Sequence, residues 1–240
     1  IYDSIEMAAL AYENGTRVIV ATPHCNIPGL YDNYFGEEYT RLFRDTKKIL
    51  RKEVPGISLL AGMETFATEE MPRLLSEGKI FPINRTRYVL MEFDFREDLG
   101  FADRMLKQVR QVRGIPVVAH AERYEFVQDD PEIVYRWKQA GCEIQVNKGS
   151  FMGRFGRRAR ETAYALLNHN LVSAVASDAH SPIQRTTCMA DAYDDLLGGY
   201  PREYLDVLFD TNPQRICNGE KTVQFRKIPF REVYGWKEKA

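Results

Sequence analysis

The sequence predicts an α/β protein, a barrel of parallel strands with its chemistry gathered at one rim, and three observations carry that prediction. Strand-like apolar runs alternate with helix-like segments over short connections, the pattern that builds parallel sheets with right-handed crossovers. Five of those runs stop at a histidine or a carboxylate: residues 18–21 run into Thr22-Pro23-His24, 57–63 into Glu64, 88–91 into Glu92, 115–119 into His120, and 171–176 into Asp178 and His180. Strands that finish in such residues are the anatomy of a barrel whose active groups sit at the C-terminal ends. The chain has 240 residues, enough for one substantial core of this kind.

Taken in order, Ser4 followed by Ile5, Met7, Ala8, Ala9 and Tyr12 reads as a capped amphipathic helix that ends at Asn14-Gly15. Residues 17–22 are the first strand, and 23–34, with Pro, Gly, Asn and Asp, form a long rim loop of the functional type. A helix over 35–48 or slightly beyond breaks at Pro55-Gly56, strand 57–64 follows, and a short helix near 68–76 ends at Gly78. After strand 87–93, Phe101, Met105, Leu106, Val109 and Val112 repeat as on a helix facing a sheet, over 100–113. Strand 115–119 leads through a polar turn to a helix near 131–140 with Pro131 in its first turn, then strand 142–147, helix 157–169 and strand 171–176. Residues 186–218 are helical in three pieces, broken at Gly198-Gly199 and Asn212-Pro213. Six strands are legible. A closed barrel needs at least one more, whose expected place is upstream of Ile1. Residues 223–240 show no period and read as a tail that either packs as an extended segment or stays mobile, and 1–240 are expected to form a single domain.

Composition narrows the classes. With 33 basic and 34 acidic residues the net charge is -1, so no polyanion-binding surface is announced and nucleic acid is not an expected partner. Cys25, Cys142, Cys188 and Cys217 lie far apart with no CxxC pair, which excludes a zinc ribbon or a redox dithiol and reads as reduced thiols of a cytoplasmic protein. No apolar stretch nears the roughly 18 residues of a membrane span and no signal peptide is visible, so membrane insertion is not expected. Oligomeric state is not written in the sequence.

Three of the four histidines, His24, His120 and His180, stand at strand ends; His169 lies at a helix end, where a cap or dipole partner is the ordinary account. Any one rim histidine is equally well a satisfied polar residue at a core edge. Three together, beside Glu64, Glu92 and Asp178, point to metal. A histidine and carboxylate set without thiolate fits Mn²⁺, Fe or Zn²⁺, and several carboxylates favour ions that share ligands. Ions about 3.5–4 Å apart clamp a phosphoryl group and activate water at neutral pH, so hydrolysis is the expected reaction.

A phosphate ester also calls for organic cations. Arg123 follows His120 by three residues and Arg185 follows His180 by five, which places both guanidinium forks at the same rim; pairing with surface carboxylates is the alternative. Arg154, Arg157, Arg158 and Arg160, with Lys148, form a second basic cluster that reads as a solvated helix face or as a dock for an acidic partner. Tyr31, Tyr34 and Phe35 flank the first rim loop and either pack on the following helix or meet a substrate ring, Tyr31 being the one assigned to substrate. Cysteine-based phosphatase chemistry is excluded, because the positions six after the cysteines are Tyr31, Lys148, Asp194 and Val223 and none is arginine. No G-x-S-x-G, P-loop or G-x-G-x-x-G occurs.

The ordered set Ala21-Thr22-Pro23-His24, Gly62-Met63-Glu64, Met91-Glu92-Phe93, Ala119-His120-Ala121-Glu122-Arg123-Tyr124, Gln145-Val146-Asn147 and Ala176-Ser177-Asp178-Ala179-His180 resembles the polymerase and histidinol phosphatase superfamily. Within it, the set is most similar to the manganese-dependent protein-tyrosine phosphatases of bacterial capsule and exopolysaccharide operons. The resemblance covers residues 4–218; each motif alone is weak, and six in order are strong. It implies a distorted (β/α)₇ TIM-like barrel and two or three divalent ions, Mn²⁺ first, with His24, Glu64, Glu92, His120, Asp178 and His180 as ligands. Arg123 and Arg185 would hold the phosphate, and the implied substrate is phosphotyrosine on the tail of a bacterial tyrosine kinase that controls polysaccharide chain length. The family opens with a strand ending in His-x-His ahead of the position of Ile1, so the natural polypeptide is expected to extend upstream. Two alternatives share the resemblance: a small-molecule phosphatase of the histidinol-phosphate type, and a metal-depleted scaffold that binds without turnover. Fold alone does not separate them, since substrate choice lives in loops.

Overall fold

Strands and helical segments alternate as far as residue 176, and helices follow to residue 218, in the structure, a computed structural model that describes residues 1–230. In chain order the elements are α1 (Tyr2–Glu13), β1 (Val18–Ala21), β2 (His24–Cys25), α2 (Glu37–Glu53), β3 (Ser58–Ala61), β4 (Glu64–Phe66), α3 (Met71–Ser76), β5 (Tyr88–Glu92), α4 (Leu99–Gln111) and β6 (Ile115–Val118). There follow α5 (Glu125–Asp129), α6 (Glu132–Gln139), β7 (Glu143–Asn147), α7 (Lys148–Phe151), α8 (Arg157–Asn168), β8 (Ala174–Ala176), α9 (Ala190–Leu197), α10 (Arg202–Asp206) and α11 (Asn212–Asn218).

Every strand pairing is parallel, β1 with β3 and then β2-β4-β5-β6-β7-β8 in sequence. β1 and β2 are two halves of one extended segment, as are β3 and β4, so six strands lie side by side in a curled sheet that forms a half-barrel of the TIM-like kind. Among the described residues no strand pairs with the outer edge of β1 or of β8.

The pleat sorts side chains by parity, since neighbours along a strand point to opposite faces. Val89 and Met91 of β5, Val118 of β6, Ile144 and Val146 of β7 and Val175 of β8 join the large core beneath α4, α6 and α8. Tyr88, Val117 and Ala174, with Leu90 and Ile115, turn the other way and meet Ile216 and Cys217 of α11. Glu92 continues the Tyr88–Leu90 face, so parity sends its carboxylate to the inner mouth of the half-barrel. On β7 the same parity sets Glu143, Gln145 and Asn147 on one face, all three buried.

Several local expectations are corrected. α1 starts at Tyr2 with Ile1 in the cap position, and Ser4 sits inside the first turn rather than capping it. α2 does run beyond Lys48, to Glu53, and stops ahead of Pro55-Gly56 as expected, with Leu50 and Val54 prolonging its buried stripe. Residues 23–34 are not wholly loop; they contain β2 and a tight antiparallel bridge between Ile27 and Tyr31. Asn212-Pro213 does not break the helix, for a π turn over Val207–Thr211 immediately before it widens the coil where the proline ring would otherwise clash with a preceding carbonyl. α5 and α7 are too short to leave a legible period.

Part of the expected tail is ordered against the base of the sheet. The Thr222 hydroxyl donates to Glu143 at 2.6 Å, and Ile228 exchanges bonds with His169, whose ring stacks on Phe230 at 3.6 Å. His169 thus closes α8 as its C-cap residue, its N–H donating to the Ala165 carbonyl, and its ring and carbonyl also seat the tail. Residues 231–240 of that tail lie outside the described residues.

Candidate metal centre and phosphate site

The register of three neighbouring strands assembles the centre. His24 pairs with Glu64 across β2 and β4, and Phe66 of β4 pairs with Glu92 of β5. His24 Nδ1 lies 3.0 Å from Glu92 Oε1 and 3.5 Å from Glu64 Oε2, while His120 Nε2 lies 3.2 Å from Glu64 Oε1 and 3.6 Å from Glu92 Oε2. Each glutamate thus turns one oxygen to each imidazole. His24, Glu64 and Glu92 each offer a donor atom within 4.8 Å of the others. Glu64, Glu92 and His120 are buried, and His24 opens toward the rim.

Two residues at this centre hold a backbone conformation that L-residues rarely adopt: His120 has φ 35 and ψ 49, and Asp178 has φ 47. Such strain persists only where surroundings over-determine it. Around His120 they do. Its N–H donates to Gln145 Oε1 at 2.9 Å, and the buried Tyr124 hydroxyl donates to the Ala119 carbonyl while accepting the Phe93 N–H, which ties β5 to β6. Gln145 Nε2 then donates to Asn147 Oδ1, and Asn147 Nδ2 to Asp178 Oδ2 at 2.6 Å, so one amide relay joins the ends of β6, β7 and β8.

Asp178 and His180 complete the rim. His180 Nδ1 is 3.7 Å from Asp178 Oδ1, and its ring is 5.9 Å from that of His24. The His180 N–H donates to the Arg185 carbonyl, and Arg185 Nε to the Asp178 carbonyl, closing the loop between them. Arg185 also pairs with the Asp178 carboxylate, and Arg123 Nη1 lies 3.8 Å from the same oxygen, Oδ2. The six residues expected as ligands, the two arginines expected at phosphate and Tyr31 therefore meet at one rim, the half-exposed ring of Tyr31 lying parallel to His24 at 6.5 Å. Tyr34 and Phe35 belong to packing: Phe35 stacks on Phe81 at 4.5 Å, and the Tyr34 hydroxyl donates to Asn26.

The second basic cluster divides. Lys148 is not on a solvated face but buried, with Nζ bonded to both Asp191 carboxylate oxygens and the Cys188 carbonyl. A cation there is tolerable only because it is paired. Arg154, Arg157 and Arg158 are exposed and engage the Gln184 carbonyl, Glu161 and Asp129 respectively. Sequence reasoning missed Phe95 and Phe155, whose rings enclose the Arg123 guanidinium at 4.3 and 4.2 Å. Their only signal was position, one just past Glu92 and the other in the glycine-rich stretch from Gly149 to Gly156.

Electrostatics bind the cluster internally. Burial acts to lower the His120 imidazole, yet hydrogen bonds to Glu64 and Glu92 prevail and raise it to about 9. Burial likewise acts to raise Glu92, and the two histidines outweigh it, holding that carboxylate at about 2. The hydrogen bond to Glu92 raises His24 against burial. Burial draws Arg123 down, opposed by Asp178 and Glu122. The neighbouring Cys25 thiol is pushed up to about 12 by burial, so it offers no thiolate. What remains is a set of imidazole nitrogens and carboxylate oxygens, the donors of a borderline or hard divalent cation.

Residues 1–218 match the family model described as capsular polysaccharide synthesis, CpsB/CapC. The chain is 32% identical over 179 residues to the tyrosine-protein phosphatase YwqE of Bacillus subtilis (strain 168), covering 75% of this chain and 70% of that protein. It is 27% identical over 219 residues to the tyrosine-protein phosphatase CpsB of Streptococcus pneumoniae, covering 89% of each. Among solved structures, one from a study of YwqE from Bacillus subtilis and CpsB from Streptococcus pneumoniae, described as unique metal-dependent tyrosine phosphatases, superposes with a TM-score of 0.84. That match has 28% identity over 95% of this chain and 91% of the other.

Proposed function

The chain belongs to the CpsB/CapC family of capsular polysaccharide synthesis and is, like its relatives, a metal-dependent tyrosine-protein phosphatase; we propose that it acts on the phosphotyrosine-bearing tail of a bacterial tyrosine kinase, in the cytoplasm, with Mn²⁺ as its cation. His24, Glu64, Glu92, His120, Asp178 and His180 would hold the ions. The bound ions would supply Lewis-acid polarisation of the phosphoryl group and water activation at neutral pH.

The protein's own residues do the rest. Arg123 and Arg185 bind phosphoryl oxygens and neutralise charge that grows toward the transition state. Asp178 holds the two guanidinium groups together until the substrate arrives, and the Gln145–Asn147 relay fixes Asp178. Tyr31, parallel to His24 at the mouth, offers a face to the phenyl ring of the substrate. A single observation carries this reading: two guanidinium groups converge on one anionic oxygen, Asp178 Oδ2, at the rim that carries the imidazole and carboxylate cluster. A phosphoryl group presents three such oxygens.

The test is turnover by the Mn²⁺-loaded protein of a phosphotyrosyl peptide against histidinol phosphate, each with and without chelator. Cation-dependent cleavage of the peptide alone supports the reading, and cleavage of histidinol phosphate alone replaces it with the small-molecule phosphatase. Peptide binding without turnover replaces it with the scaffold.

A further inference from the structure

Between α7 and α8 the chain places Phe155 against both arginines of the site. The Arg123 guanidinium lies 4.2 Å from its ring centroid and that of Arg185 lies 5.5 Å away, while Phe95 covers Arg123 from another side at 4.3 Å. Phe155 joins none of the apolar core clusters, so it is not there to fill the interior. Its seat is nevertheless built. A Cβ on Gly149 would stand 2.9 Å from Phe155 Cε2, closer than packed carbons come, so the ring rests directly on backbone of α7. Gly149 does not have a positive φ, which means that space and not backbone freedom requires glycine there.

The neighbouring loop is fastened to the same seat. Arg154 Nη1 donates to the Gln184 carbonyl at 2.7 Å, and the Arg185 carbonyl accepts from the His180 N–H. A guanidinium is planar, and stacking on an aromatic face fixes its plane while leaving its N–H edge free to donate. Two guanidinium groups referenced to one ring are fixed relative to each other. The Asp178 carboxylate draws both groups to one oxygen but does not set the planes of their forks, and any freedom left in those planes must be given up when a phosphoryl group binds.

We propose that Phe155, seated on Gly149, is a positioning residue that fixes the spacing and orientation of the Arg123 and Arg185 guanidinium groups for the phosphoryl group. The proposal rests on the assignment of those arginines to phosphate. Phe155 acts through them and does not touch the reacting atoms. Removal of the ring should therefore weaken anion capture without altering cation content or fold.

The test uses the Mn²⁺-loaded full chain and inorganic phosphate as probe, with its dissociation constant read by calorimetry, alongside kcat and KM for a phosphotyrosyl peptide. Phe155→Leu should raise the phosphate constant and KM about fivefold or more, with bound Mn²⁺ and melting temperature unchanged. Phe155→Trp should restore both values. Gly149→Ala, whose methyl group displaces the ring, should reproduce the loss. In an Arg123→Ala background, Phe155→Leu should have at most a small further effect on phosphate binding. An unchanged phosphate constant in Phe155→Leu, or an equal loss with and without Arg123, overturns the proposal. If peptide turnover is absent from the wild type while the phosphate cycle behaves as stated, the tyrosine-phosphatase reading fails and the positioning role stands.

Discussion

With divalent cations stripped by chelator, His120 stands between Glu64 and Glu92 as an imidazolium, and that charge makes a definite stability profile. Its folded value of about 9 lies well above the ordinary 6.5. At about 1.36 kcal/mol per unit this is on the order of 3 kcal/mol, and the depression of Glu92 is the same interaction seen from its other end, not a second contribution. The sign follows from linkage: the folded state binds the proton more tightly, so the contribution is complete below pH 6.5 and is lost as pH rises through about 9. Glu92, held at about 2, gives the converse limb, complete above the ordinary 4.5 and lost as pH falls toward 2. Urea unfolding in chelator should therefore show a plateau between about pH 4.5 and 6.5, and a loss of up to about 3 kcal/mol by pH 9. Glu92→Gln removes one of the two carboxylates and should cut the alkaline loss by roughly half, with Glu64 supplying the remainder. An alkaline limb of equal size in both proteins, or a flat wild-type profile from pH 6.5 to 9, refutes the reasoning.

Because the same imidazolium must lose its proton to accept a metal ion, Mn²⁺ binding near pH 7 should release protons; titration calorimetry in buffers of different ionisation enthalpy measures the number, and zero release contradicts the assignment of His120. Arg123→Ala and Arg185→Ala should each lower kcat/KM by about 1.5–3 kcal/mol, roughly ten- to 150-fold, with bound cation unchanged. Undiminished turnover in both would return them to the role of partners for Asp178. Asp191→Ala strands the buried Lys148 ammonium and should cost about 3–5 kcal/mol in denaturant unfolding, while Lys148→Met with Asp191→Asn should cost less. A double variant less stable than Asp191→Ala would show that the ion pair is not what holds the segment from Cys188 to Asp191.

The sequence by itself determined the number of strands side by side, their parallel order and the placing of Glu92, His120, Asp178 and His180 at or just past strand ends, whereas His24 and Glu64 open β2 and β4 inside extended segments that run on to Cys25 and Phe66. These are local properties: a short continuous apolar run bounded by turn residues declares a buried parallel strand, and the polar residues at its C-terminal end fall at the rim. What that reading left open was contact. His24 and Glu92 are 68 residues apart in the chain and Arg185 reaches its site beside Arg123 only through the turn at Asp178, so no spacing rule could show which oxygens face which imidazole. Lys148 looked like one more exposed cation in a basic stretch, since burial is set by Asp191 and Cys188 some forty residues on. Pro213 looked like a helix break because the wide π turn that accommodates it is made by packing and not by local preference. Phe155 carried no signal of function at all. Its role depends on the absence of a side chain at Gly149 and on two arginines from other strand ends, and only the folded chain brings a ring, a bare backbone and two cations to one place.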